Sequence, residues 1–456
     1  MCAIINNMES IYRTQVFGKA TGRANNYRIP SVITTKHGTV VACADERFFS
    51  AADFPNRIDK VVRRSEDGGR TWQEQIVAVE EVGESKNHGS LAIDPALLYD
   101  EEQDKIFMLY SHTPTNIGII TAKRGTGLTS KGDRKVTVGG KKGYIDANGK
   151  VFAGKSATSY TVDERGYVYE GGKKIGNMYI KDCPVCEYET FFLYICESSD
   201  DGKTWSKPVC LNSQVKEEWM SFLGTCPGIG IKLKHGKYAG RLIFPVYYNS
   251  QGMCIVPILS LSACVIYSDD GGKTWKRGKS PNDGRKKHGI KLSSRFVADW
   301  NNITESQVIE LPDGTLRMFM RNHSLKRLIS MAESTDGGVT WHNYRHNEYL
   351  PQPICQVSVL NAEHNGKQVT LVCNAADKQK RINGLVRLSY DYGETFVASM
   401  PVKQPDEDNG FVYSCMTQAA NGDIVLLYEG STKHETIESI VFPVSALENY
   451  KNGKTE

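Results

Sequence analysis

The 456-residue chain has no apolar run long enough to cross a bilayer, so no membrane span is expected. Met1–Ala20 lacks a basic start, an apolar centre and a small-residue cleavage site. No signal peptide is read there, and the protein either stays inside the cell or has been trimmed of an export signal. A large charge excess is missing too. The net charge of +4 is compatible with an anionic ligand but is not the clustered basic surplus that nucleic-acid binding requires. The basic residues from Lys276 to Lys291 are interrupted by Pro281-Asn282-Asp283-Gly284, as in a solvated loop. Cys183-Pro184-Val185-Cys186 has zinc-ligand spacing, but no second pair completes a set of four. Most of the twelve cysteines, such as Cys43, Cys196, Cys264 and Cys373, stand in apolar strand-like runs, where a buried free thiol is the default. No metal site is read from these cysteines.

What the chain does have is a repeat. Ser65-Glu66-Asp67-Gly68-Gly69-Arg70-Thr71-Trp72 returns at Ser198–Trp205, Ser268–Trp275, Ser334–Trp341 and, more weakly, Ser389–Phe396, with its Ser, Asp, Gly and Thr unchanged. Successive copies start 133, 70, 66 and 55 residues apart, so one unit is repeating and the first gap is roughly double. The pattern Ser-x-Asp-x-Gly-x-Thr-Trp reads as a turn between strands. Ser and Asp accept backbone N–H groups, Gly tolerates positive φ, and Thr-Trp restarts a strand. The Asp residues resemble the start of a calcium loop, but the remaining EF-hand spacing is absent, which favours a structural role.

Each copy follows a strand-forming run, and helical periodicity is scarce. Runs such as Thr39–Ala44, Asp59–Arg64, Lys105–Ser111, Arg241–Tyr248, Val369–Asn374 and Asp423–Tyr428 predict an all-β propeller. Five turn motifs, with one blade lacking a copy, predict a six-bladed β-propeller. Ser439–Val444 is expected to pair with the first strand and close the ring. A Gly- and Lys-rich stretch, residues 122–188, occupies the doubled gap and is read as a small irregular β insertion, with Tyr144, Phe152, Tyr160 and Tyr167 to pack it. The organisation is therefore propeller over 1–121, insertion over 122–188 and propeller over 189–456.

Three arginines stand at the end of, or inside, apolar β runs: Arg28, Arg321 and Arg387. A cation there is costly without an anionic partner. Singly, each reads as a structural ion pair. Together they suggest a convergent anion site, because guanidinium forks bind carboxylate bidentately.

The repeated motif resembles the Asp boxes of the sialidases, and Tyr27-Arg28-Ile29-Pro30 resembles the Phe/Tyr-Arg-Ile-Pro motif near the start of sialidase catalytic domains. The resemblance, to the bacterial exo-sialidases with Asp boxes, runs from about Tyr12 to Ala446. It implies that Arg28, Arg321 and Arg387 clamp the sialic-acid carboxylate, that Asp53 is the general acid/base, and that Glu305 is paired with a nucleophilic Tyr413. It also implies that Arg47 and Asp94 line the pocket around the sugar ring. Singly, Asp53 reads as a loop carboxylate, Glu305 as a hairpin residue and Tyr413 as a core aromatic. Their ordered spacing together with the Asp boxes favours the functional reading. The implied activity is a retaining exo-sialidase that hydrolyses sialylated glycans, glycoproteins or glycolipids through a glycosyl-tyrosine intermediate, with no metal or organic cofactor implied. Two rivals stand beside it. One is intramolecular transfer to an anhydro-sialic acid, which similar sialidases achieve with a Trp downstream of the nucleophile; the last Trp here is Trp341, which favours hydrolysis. The other is a non-catalytic glycan-binding propeller, against which the intact Asp53, Glu305 and Tyr413 argue.

Overall fold

The computed structural model describes residues 11–249, 259–287, 289–403, 409–431, 433 and 435–450. Met1–Ser10 of the N-terminal stretch read above, and Cys2 and Cys254 of the twelve cysteines, lie outside them. The chain is all-β, with a propeller arrangement of meandering antiparallel sheets. Two sheets take four successive strands each, 303–351 and 357–401, and a five-stranded sheet spans 222–277. A nine-stranded sheet collects the strands from Asn26–Thr34 to Val209–Cys210, together with Gly228–Ile229. Among the described residues only Asn212–Val215 and Val444–Glu448 are α-helical. In the last sheet Tyr12–Phe17 pairs antiparallel with Ile437–Phe442, Tyr12 opposite Val441, so the first and last strands join as expected.

The five repeats adopt one geometry. In the copy at Ser334, the Ser hydroxyl donates to Asp336 Oδ1 (2.8 Å) and accepts the N–H of Gly338 (2.9 Å). Asp336 then accepts the N–H of Thr340 (2.8 Å) and its hydroxyl (2.5 Å). The same bonds recur around Asp67, Asp200, Asp270 and Asp391. Around Asp270 the Thr274 hydroxyl leads the contacts that hold the carboxyl down at about 2. Each Asp is thus committed to its own turn. Gly338 sits at φ +90°, and a Cβ there would lie 2.8 Å from Val265 in the neighbouring sheet. The turn therefore needs glycine both for conformation and for contact.

Residues 134–187 form a separate seven-stranded antiparallel sheet with its own apolar filling of Val136, Ile145, Val151 and Val168. A buried charged chain attaches it to the propeller. His112, on the strand Lys105–Thr113, meets Glu81 through Nδ1 (2.8 Å) and Glu187 through Nε2 (3.0 Å), and Glu187 also pairs with Arg134. Burial opposes charge on His112, but the two carboxylates outweigh it and raise the imidazole to about 10. Cys183 and Cys186 lie in this sheet region as free thiols, both pushed up by burial.

Candidate active site

Three inner strands break register where a candidate residue leaves them. The pairing shifts between Arg28 and Ser31, between Ile93 and Ala96, and between Ile303 and Ser306. In the first two, a residue at positive φ precedes a proline: Ile29 at 60° before Pro30, and Asp94 at 61° before Pro95. A β-branched residue rarely adopts that conformation, so the Ile29 backbone is held there by its surroundings. Its N–H donates to the buried Glu429 at 2.8 Å. Bulges of this kind re-aim side chains, and here Arg28, Asp94 and Glu305 are delivered to one end of the ring.

At the centre of the site the Tyr413 hydroxyl donates to Glu305 Oε1 at 2.5 Å and accepts from Arg321 Nη1 at 3.0 Å. The same guanidinium nitrogen donates to Glu305 Oε2 at 2.6 Å. Burial, and then the Glu305 charge, push the phenol well above 10, with Arg321 and Arg381 pulling the other way. Arg28 lies over the Tyr413 ring, 5.5 Å from its centroid, and is held by Glu429 through Nε at 3.2 Å. Arg321 Nε has no hydrogen-bond partner among the described residues although it is buried.

The third arginine of this group is Arg381, not Arg387. Arg381 stands 5.8 Å from the Tyr413 ring centroid and is half-buried. Arg387 lies within the sheet, opposite Val372 and Ser399, where it donates to Asn374 Oδ1 at 2.8 Å. Burial brings its guanidinium down to about 10, and it forms no ion pair among the described residues. The expectation failed for a physical reason. Arg381 follows the polar run Asp377-Lys378-Gln379-Lys380, just before the strand Gly384–Ser389. Arg387, inside the apolar run, is held by a neighbouring side chain instead.

Asp53 lies on the loop between the strands Val40–Arg47 and Ile58–Ser65. Its carboxylate accepts from Arg47 Nη1 at 2.8 Å, approaches Arg28 Nη1 at 3.7 Å, and keeps 63% of its side chain exposed. Burial would raise its pKa, but Arg47 and Arg28 outweigh it and hold it below the ordinary carboxylate value. Arg47 is fully buried and braced by Asp45, which also takes Lys60 and the Asp94 N–H (3.2 Å). Asp94 is raised well above its ordinary value, first by burial and then by Asp45, Asp53 and Glu305. The structure thus gathers Arg28, Arg47, Asp53, Asp94, Glu305, Arg321 and Tyr413. Sequence reading missed Arg381, the supports Asp45, Lys60 and Glu429, and Tyr247, whose phenol is raised by burial and then by Glu305 and Asp94. None of these belongs to a local motif. The one metal-like grouping among the described residues, His37, Asp104 and Asp201, already has the Lys36 ammonium 3.2 Å from Asp104.

Comparison with known proteins places the chain in a family. Residues 178–426 match the BNR repeat-like domain. An anhydrosialidase of Macrobdella decora is 27% identical over 89% of this chain and 58% of its own length. A sialidase of Bacteroides fragilis is 26% identical over 91% of this chain and 62% of its own. The chain thus spans about three fifths of these curated relatives. The intramolecular trans-sialidase from Ruminococcus gnavus, solved with oseltamivir carboxylate, superposes with a TM-score of 0.80 at 25% identity, covering 97% of this chain and 99% of that one. With more than half of its residues fitting the repeat-like domain, the chain belongs to the BNR repeat-like family, and bacterial sialidases align along about nine tenths of it.

Proposed function

We propose that the protein is a retaining exo-sialidase that releases terminal α-linked sialic acids from sialylated glycans, glycoproteins or glycolipids by way of a glycosyl-tyrosine intermediate. The observation that carries this is the 2.5 Å hydrogen bond from Tyr413 to Glu305, set beneath three guanidinium groups. A sialoside bears its carboxylate on the anomeric carbon. An anionic nucleophile would approach against that charge, whereas a neutral phenol does not, and sialidases as a class are the glycosidases that use tyrosine. Arg28, Arg321 and Arg381 hold the carboxylate and orient the ring. Glu305 takes the phenol proton as the oxygen bonds to the anomeric carbon, and Asp53, which must first take up a proton from solvent against the pull of Arg47 and Arg28, gives it to the departing glycosidic oxygen. Asp53 then removes a proton from water, which displaces the tyrosine, and the phenol recovers its proton from Glu305. Two displacements retain configuration. Arg47 and Asp94 line the pocket around the sugar.

The same reading extends to architecture. Apart from Gly228–Ile229, which pairs parallel with Ala96 and Leu97, the nine-stranded sheet consists of two meanders joined by one parallel contact, Ile58 with Leu91. Six apolar clusters fill successive seams: those around Val425, Cys43, Phe244, Val265, Phe319 and Leu426. Both features support a six-bladed ring with residues 122–188 as an inserted domain.

A second reading is intramolecular transfer, which the similarity to the Ruminococcus gnavus and Macrobdella decora proteins favours. The absence of any Trp after Trp341 favours water as the acceptor. A proton NMR time course on a sialylated trisaccharide, with Tyr413→Phe alongside, separates them. Free sialic acid appearing first as the α anomer, from wild type alone, is the expected result. An anhydro product selects the second reading, and no product from several linkages overturns both.

A further inference from the structure

A polar cleft of about 850 Å³ opens between the loop Glu80–His88 and the seven-stranded sheet, and the proposed reaction gives it no role. A general acid must touch the glycosidic oxygen, so the remainder of a glycan leaves past Asp53. The loop that carries Asp53 is tied down by Asn56, whose Nδ2 donates to Ser50 O (2.8 Å) and Ala52 O (2.9 Å). The next residue, Arg57, stacks on Phe48 at 4.4 Å and lines the cleft. From there the wall continues through charged contacts. Arg57 approaches Glu80 at 3.7 Å, and Glu80 meets Arg165 of the seven-stranded sheet at 2.7 Å. Lys174 lies over the face of Tyr167, 3.2 Å from its centroid, and Glu84 is exposed on the opposite lip.

We infer that this cleft is the subsite for the reducing-side sugars of a sialylated oligosaccharide, gripped through their hydroxyls by Arg165, Lys174, Glu80 and Glu84. The inference rests on the sialidase reading and adds a substrate preference to it. Alternating donors and acceptors over an aromatic base suit neutral sugar hydroxyls better than a single strong anion, because the acids on one lip would repel a second negative group. The cleft is also preformed. Glu81, beside Glu80, is one end of the buried Glu81–His112–Glu187–Arg134 chain that fixes the two walls, and Asn177 Nδ2 braces the Arg165 carbonyl at 3.0 Å. A rigid cleft spares a ligand the cost of ordering its walls.

The test compares kcat/KM on an aryl α-sialoside, which has no inner sugars, with that on a sialylated biantennary glycan, in wild type and in R165A/K174A. Both side chains are exposed, so the fold should survive their loss. Two hydrogen bonds at about 0.5–1.5 kcal/mol each imply a loss of roughly five- to 150-fold on the long glycan only. Saturation-transfer NMR with Tyr413→Phe should show the inner sugars of the glycan in contact, and lose that contact when R165A/K174A is added. Cleavage of both substrates with an unchanged ratio, or no contact to the inner sugars, overturns the subsite while leaving the sialidase reading intact. No release of sialic acid from either substrate by wild type overturns the sialidase reading and the subsite with it.

Discussion

Tyr413 starts from an unfavourable position on the proposed reaction, since burial and Glu305 hold its phenol above its ordinary pKa. The short bond to Glu305 answers this by moving the proton as the new bond forms, so no free phenolate is required. Tyr413→Phe should therefore cut turnover by orders of magnitude and leave the melting temperature nearly unchanged; wild-type-like rates would remove the assignment. Asp53 makes a different prediction. Its proposed service is to protonate the leaving group, so Asp53→Ala should be far more damaging on an alkyl sialoside than on a nitrophenyl sialoside, whose leaving group needs little protonation. Equal losses on both in the first, glycosyl-transfer step would count against it as the acid. The arginines sort by the same logic. Arg381→Ala should raise KM about tenfold or more without loss of stability, whereas Arg387→Ala should lower the melting temperature and leave KM nearly unaltered, measured by steady-state kinetics and thermal unfolding. Sequence reading selected Arg387 because a cation inside an apolar run demands explanation. Its partner, Asn374 across the strand pair, supplies that explanation and cannot be seen in linear order.

Strands and their turns were legible because each rests on short-range chemistry. The Asp turns repeat the same Ser, Asp and Thr bonds five times, and runs such as Asp423–Tyr428 carry strand-forming residues. The bulges at Arg28, Asp94 and Glu305 were not legible as bulges, because a register shift depends on the partner strand. Asp336→Ala removes the acceptor for Ser334, for the Thr340 N–H and for the Thr340 hydroxyl. Part of that is regained from water at an exposed turn, so about 1–2 kcal/mol of stability should be lost with kcat unaltered. Thermal denaturation beside a rate assay checks both halves.

At the scale of the molecule the seven-stranded sheet and the propeller are coupled through a buried titrating group. His112 is raised from 6.5 to about 10 in the folded chain by Glu81 and Glu187, against the opposing effect of burial. A raised histidine contributes stability that is fully present below its unfolded value and is lost as pH rises through its folded value. Glu187 behaves in the opposite sense. Burial favours its neutral form, but Arg134 and His112 hold it below 4.5, so its contribution is present above that value and fades as pH falls. The attachment is therefore firmest between about pH 4.5 and 6.5 and weakens on both sides. Wild type should lose melting temperature steadily between pH 6.5 and 10, a decline that His112→Gln should largely lack, starting from a lower value at pH 6. Limited proteolysis at pH 9 should cut wild type within residues 122–188 more readily than at pH 6, while His112→Gln should be cut at similar rates at both. Parallel slopes for the two proteins across that range would mean that the His112 charge does not hold the two sheets together.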